Sequence, residues 1–392
     1  IMDWLLISVI AVIALALLFD FTNGFHDAAN SVATVVATKA LPARLAPWFS
    51  AFFNFSAFFV VGTAVANTVA KVVNHDVEGV AVVFAALVAA IAWNYFTWYV
   101  GMPSSSSHAI IGGLVGAGLA AGGTGAVNWG VVSKAVLAIV VSPLVAFTIA
   151  AVAMLILARI HKQWNLSEDA KAYKGLQLVS AAAVSFGHGA NDAQKTMGIM
   201  AAVLAAGGYI GLQADGTFEI DWWIPLLAYS AISIGTVWGG WKIIETMGLR
   251  IAKLRASSGL AANVGAVTAI FGATGLGIPI STTHAAASSV AGAGVASGKG
   301  VNGRVIREMV TAWVVTIPAT VIVGFVMFKL TRLPGISAYL VVGVIMAGLL
   351  TWIVWAMSKA MGADDLAKEL PSDAETRQPV AATRADGHGT GE

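Results

Sequence analysis

Two acids, Asp27 and Asp192, stand deep within apolar sequence, each inside one copy of a repeated polar pattern. The first copy reads Asn23-Gly24-Phe25-His26-Asp27-Ala28-Ala29-Asn30-Ser31. The second, 165 positions later, reads His188-Gly189-Ala190-Asn191-Asp192-Ala193-Gln194-Lys195-Thr196. Burying a carboxylate at membrane depth costs at least ~2.5 to 3.5 kcal/mol on insertion scales, so such acids generally have a counter-ion or a transport role. With Asn23, Asn30, Asn191 and Gln194 beside them, both sit among oxygen donors that suit hard cations. Asp27, Asp192, Asn23, Asn191 and His26 are therefore the candidate cation-binding or proton-coupling residues. Asp27 and Asp192 are also the candidate ligands of sodium or of a divalent metal. His26 adjoins Asp27 and can titrate near neutral pH; a hydrogen-bonding strut is its other reading.

A second pattern, Pro103-Ser104-Ser105-Ser106-Ser107-His108-Ala109, returns 176 positions later as Pro279-Ile280-Ser281-Thr282-Thr283-His284-Ala285. Proline followed by hydroxyls and a run of small residues marks a helix start, whose unpaired N–H groups and partial positive charge favour an anion. Two such starts facing each other make an oxyanion cradle, with Ser105, Ser106, Ser107, Ser281, Thr282 and Thr283 both donating and accepting. The blander reading of these hydroxyls is helix capping and close packing. A doubly charged oxyanion with two ionised acids leaves about four negative charges, and Lys195 is the one basic residue inside the patterns. Sodium, protons or a divalent metal travelling with the anion must balance them. Lys195 either neutralises Asp192 or the anion, or snorkels to an interface. His108 and His284, Ser31 and Thr196 are expected to support the site from behind. Asn67, Thr68, Glu245 and Thr246 form a weaker matched group further out.

The elements that carry these residues are membrane helices. Apolar residues make up 58% of the chain, charged ones 11%, and mean hydropathy is +0.82, against about 25% charged residues in soluble domains. Stretches such as 4–19, 81–100, 131–157, 261–277, 309–328 and 338–357 approach or exceed the ~20 residues that cross hydrocarbon. The first is expected to remain as a span, because it lacks a basic leader and a cleavage site. No cysteine is present, which excludes disulfides and thiolate chemistry. A net charge of +2 with no basic stripe gives no sign of nucleic-acid binding.

The predicted fold is an all-α polytopic membrane protein of two inverted-topology repeats with broken helices and re-entrant hairpins. Its predicted divisions are a first repeat over 1–158, a cytoplasmic connector over 159–175, a second repeat over 176–360 and a disordered hydrophilic tail over 361–392. Lys and Arg mark cytoplasmic loops. They gather on one face if the segments around 101–103 and 277–279 turn back, which puts the N-terminus outside. Inverted repeats give a natural route to alternating access.

The quoted motifs together resemble the inorganic phosphate transporter (PiT) family, in its bacterial branch, over essentially residues 1 to 358. The branch assignment rests on His26, where the animal pattern has Asn, and on the missing central cytoplasmic insertion. The resemblance implies a multi-pass plasma-membrane homodimer that imports phosphate with H+ or Na+, without covalent cofactor, the phosphate in some cases complexed to a divalent metal. It further implies that Ser104 to Ser107, Ser281, Thr282, Thr283, Asn30 and Gln194 bind phosphate. Sulfate transport is the alternative within the same class. A hydrolase is disfavoured, since Ser107 and His108 are sequence neighbours and point about 100 degrees apart on a helix, and a passive channel has no need of buried cation-binding acids.

Overall fold

The computed structural model describes residues 4–370, apart from 75, 76, 78, 166, 169, 212 and 214–216. Helices dominate it: α1 (Trp4–Asp27), α2 (Ala29–Ala37), α3 (Ala46–Ser56), α4 (Ala64–Ala70), α5 (Val80–Val100), α6 (Ser106–Gly122), α7 (Trp129–Trp164), α8 (Lys171–Ala206), α9 (Trp223–Trp238), α10 (Trp241–Glu245), α11 (Ala256–Gly275), α12 (Thr282–Ala296), α13 (Gly303–Thr331), α14 (Ile336–Ser358) and α15 (Ala363–Glu369). Among the described residues, seven helices are long and apolar enough to cross a membrane, or up to eight if the pair 46–59 and 64–70, bent by 89°, counts as one. The chain is a multi-pass membrane protein.

Two hairpins, α5–α6 and α11–α12, hold the positions that matter. Each ends its first helix near a glycine in the left-handed region, Gly101 at φ 75° and Gly277 at φ 67°, where a side chain would be strained. The second helix of each hairpin then starts at a hydroxyl cap. Ser105 accepts from the His108 N–H (3.2 Å) and Ser281 from the His284 N–H (3.1 Å). The hairpins cross over: α6 packs on α13 and α12 on α7, so each is gripped by the other half of the chain.

The first polar pattern does not break its helices as the second does. α8 runs unbroken through His188–Thr196, and α1 passes into α2 with a single interruption at Ala28, which keeps right-handed helical angles. Only Pro fixes a break by itself, and neither copy contains one. Glycine at 24 serves close approach instead, because a Cβ there would lie 2.1 Å from the Ile232 carbonyl oxygen on α9.

Two boundaries move. The polar residues at 159–164 continue α7 to Trp164, and α8 begins at Lys171, so the link between them is shorter than the expected 159–175. Within the tail expected to be disordered, 363–369 form α15, because Leu366 is fully buried and Arg44 donates to Asp364 at 2.6 and 2.9 Å. The remainder of that predicted tail, 371–392, lies outside the described residues.

Candidate functional site

Asp27 and Asp192, from opposite halves, meet in one buried site. Both are essentially inaccessible to solvent. His188 stands between them, its Nε2 3.5 Å from Asp192 Oδ2 and 4.0 Å from Asp27 Oδ2. The three residues can bring one ligand atom each to within 4.8 Å of one another, a spacing that suits a shared ion. Asn23 donates to Asp192 Oδ2 at 3.3 Å. Asn23 and Asn30 each keep a buried amide oxygen without a partner, which adds neutral oxygen donors of the kind hard cations prefer.

The hairpin tips close over these acids. Ser106 donates to Asp27 Oδ2 at 3.2 Å, and its counterpart Thr282 donates to Asp192 Oδ2 at 3.3 Å. Thr283 donates to Asp27 Oδ1 at 3.0 Å, and Ser107 to the Ile280 carbonyl at 2.7 Å, so the two tips touch directly. Asn30 donates to Thr282 and Thr283 at 3.2 and 3.1 Å. At the equivalent place in the other half, Lys195 donates to Asp192 (2.6 Å), Ser107 (2.5 Å) and the Ile280 carbonyl (3.1 Å). Lys195 is wholly buried and does not snorkel.

His26 is braced at both nitrogens, Nδ1 at 2.6 Å from Asp27 Oδ1 and Nε2 at 3.1 Å from Thr97 Oγ1, with Ser104 Oγ at 3.5 Å. Asn191, its counterpart, holds the second hairpin by donating to Thr274 and the Ile278 carbonyl and accepting from the Ile280 N–H. Asn191 thus braces the tip and does not contact an acid. Gln194 is drawn away from the tips. Its oxygen accepts from the Val65 N–H at 2.9 Å, within the first turn of α4, and its NH2 donates to the Ala190 carbonyl. Ser31 pairs with Ser50 at 2.7 Å. Thr196 is buried with an unpartnered hydroxyl. His108 and His284 face each other edge to face at 4.4 Å, and none of their ring nitrogens has a partner. Thr68 donates to the Gly277 carbonyl and Thr246 to the Gly101 carbonyl, so each clamps the opposite hairpin's turn. Asn67 accepts from the Phe218 N–H.

Sequence reasoning overlooked His188, which opens the second copy where the first has Asn23. Its spacing of four residues before Asp192, one helical turn, was the available signal. Asp20, which directly follows the apolar stretch 4–19, is fully buried as well.

The phosphate transporter family model matches residues 23–324, which contain every motif described above. The chain is 42% identical over 317 residues to the probable low-affinity inorganic phosphate transporter of Rhizobium meliloti (strain 1021), covering 80% of this chain and 94% of that protein. It is also 42% identical over 335 residues to the one of Bacillus subtilis (strain 168), covering 83% and 98%. A solved structure described as the sodium-dependent phosphate transporter superposes with a TM-score of 0.72 at 27% identity, covering 84% of this chain and all of that one.

Proposed function

The chain belongs to the phosphate transporter family, whose members are transporters and not enzymes, and from that premise we propose that it imports inorganic phosphate by symport with cations, H+ or Na+. Phosphate lodges between the starts of α6 and α12, where first-turn N–H groups have no partner within the helix. Cations collect at Asp27 and Asp192, with Asn23 and Asn30 adding amide oxygens. Ser104, Ser105, Ser106, Ser107, Ser281, Thr282 and Thr283 shape the anion pocket. A divalent metal complexed to phosphate also suits the Asp27–His188–Asp192 group. The two halves act as inverted repeats in a plasma-membrane homodimer, its N-terminus outside.

The observation that carries this reading is the hydroxyl bridge between tips and acids, Ser106 and Thr283 on Asp27 and Thr282 on Asp192. A hydroxyl has one proton to give. While it is given to a carboxylate, it is not available to phosphate. A cation on the acid competes for the same carboxylate oxygens, releases the hydroxyl proton and offsets the repulsion an incoming anion would meet. Anion and cation therefore bind best together, and coupling follows from the shared hydrogen bonds.

Proteoliposomes with labelled phosphate test this, with the Na+ gradient and pH varied separately and sulfate as competitor. Uptake should follow one of the two cation gradients and withstand excess sulfate. Complete competition by sulfate would point to a general oxyanion carrier, and uptake indifferent to both gradients would remove the coupling.

A further inference from the structure

Against the turn of the first hairpin lies a cavity of about 260 Å3, whose wall includes Gly101, Met102 and Pro103. That wall is thin. Pro103 lines the cavity, and three positions on, at most about 11 Å of chain, Ser106 donates to Asp27. Two hydrogen bonds hold the turn in place, Thr246 donating to the Gly101 carbonyl and the Trp313 indole to the Pro103 carbonyl, each at 3.0 Å. The lining also carries Arg250, at the end of a π-helical turn over Thr246–Arg250, an irregularity that recurs at functional sites. Arg250 is exposed, and its guanidinium has no hydrogen-bond or ion-pair partner among the described residues. Glu308, the one acid in the lining, is met by Arg304 at 3.3 Å, which partly offsets its charge. Arg250 therefore gives the cavity an unspent positive charge.

We propose that this cavity is a second, weaker site for inorganic phosphate, in which Arg250 receives the anion on the cytoplasmic side of the hairpin turn. A guanidinium presents a planar fork of donors that fits two phosphate oxygens at once. The space is several times the ~30 Å3 share of one water, enough for the ion with part of its hydration. Arg250 leads into the loop that carries Lys253 and Arg255, and Glu308 lies near the start of α13, just after Lys299. Such basic loops mark the cytoplasmic face. Once cations leave Asp27 and Asp192, those acids repel phosphate while Arg250 attracts it, so the field runs toward the cytoplasm. The other half offers no such charge: four residues beyond Thr68, where Arg250 follows Thr246, stands Val72, which is buried. The proposal rests on the phosphate-import reading and the orientation given above.

Right-side-out and inside-out membrane vesicles holding the full-length protein present its two faces separately to labelled phosphate. Arg250→Gln should raise the half-saturating phosphate concentration severalfold from the cytoplasmic face and leave the external one unchanged, and Arg250→Lys, which keeps the charge, should recover part of the loss. Because the chain has no cysteine, Met102→Cys places a single thiol in the cavity wall of an otherwise intact protein, which keeps the test decisive if Arg250→Gln fails to fold. A charged methanethiosulfonate reagent should label it in inside-out vesicles and not in right-side-out ones, and excess phosphate should slow the reaction. Equal shifts on both faces, or none on the cytoplasmic face, overturn the site. Labelling of Met102→Cys from the external face, or at a rate indifferent to phosphate, overturns it as well. Each of these results leaves cation-coupled uptake standing, whereas wild-type uptake that ignores both cation gradients removes that parent reading.

Discussion

In the first half of the site Asn30 reaches the opposite hairpin tip, and His26 leans on Asp27; in the second half the same two places hold Lys195 and Asn191. The scaffold around them is matched. Serine caps both hairpin helices, Ser106 and Thr282 each meet the acid of their own half, and Thr97 and Thr274 each meet the side chain beside that acid. What differs is charge. Asp192 has the Lys195 amine at 2.6 Å, whereas Asp27 faces histidines, His26 at 2.6 Å and His188 at 4.0 Å, and no lysine. On the cation-coupled reading proposed above, duplicated geometry with unequal charge would divide the labour: Asp192, paired with Lys195, would mainly organise the site, and Asp27 would be the acid that contributes more to the exchanging cation.

The sharpest way to break that contrast is to remove the Lys195 amine. Lys195→Met strands Asp192 in a dry interior, and losing one partner of a buried ion pair costs about 3 to 5 kcal/mol. Thermal unfolding in detergent should show a large loss. Asn30→Ala, at the equivalent position, removes neutral hydrogen bonds worth about 1 kcal/mol apiece and should be far milder. Combining Lys195→Met with Asp192→Asn should recover most of the lost stability. Equal losses for Lys195→Met and Asn30→Ala would show that the charges do not divide as described.

The acids themselves come next. Asp27→Asn keeps the shape and has no lysine to strand, so the fold should tolerate it while cation-driven uptake falls on the order of a hundredfold, about 2.7 kcal/mol in barrier terms. Asp192→Asn should lose uptake and stability together, because Lys195 is then the stranded charge. A melting profile unchanged in Asp192→Asn contradicts the assignment. Smaller effects belong to the hydroxyls. Ser106→Ala and Thr282→Ala each remove a hydrogen bond to a charged group, worth about 1.5 kcal/mol, and should raise the half-saturating phosphate concentration roughly tenfold.

Much of this contrast is legible in sequence, because duplication places equivalent residues at fixed offsets and Pro103 and Pro279 mark the two helix starts locally. Positions that depend on partners far along the chain are not. Gln194 aligns with the site and belongs on the same turn as Lys195, yet the α4 N-terminus, more than a hundred residues away, claims its amide. Asn191 likewise reads as a cation ligand until the turn at Ile278–Ile280 takes both ends of its side chain. Asp20 had a local signature that hydropathy obscures. With Asn23, Asp27, Asn30 and Thr34 it recurs every three or four residues, one polar stripe down α1 and α2, and that stripe faces the interior of the protein.

Where the two halves agree in both geometry and charge, substitutions should have equal effects, and this gives the comparison its control. Thr68 donates to the Gly277 carbonyl at 2.8 Å and Thr246 to the Gly101 carbonyl at 3.0 Å. Each carbonyl belongs to a turn whose glycine is left-handed, so the bond holds a conformation other residues would resist. Thr68→Val and Thr246→Val keep the shape and remove only the hydroxyl, at a cost of about 1 kcal/mol each. The melting temperatures of the two variants should fall by similar small amounts, with phosphate affinity little changed, since neither threonine contacts an acid or the serine-rich turns. A much larger loss in one than the other would mean that the asymmetry extends beyond the charged positions into the clamps, and the division of labour could no longer be assigned to Lys195 alone.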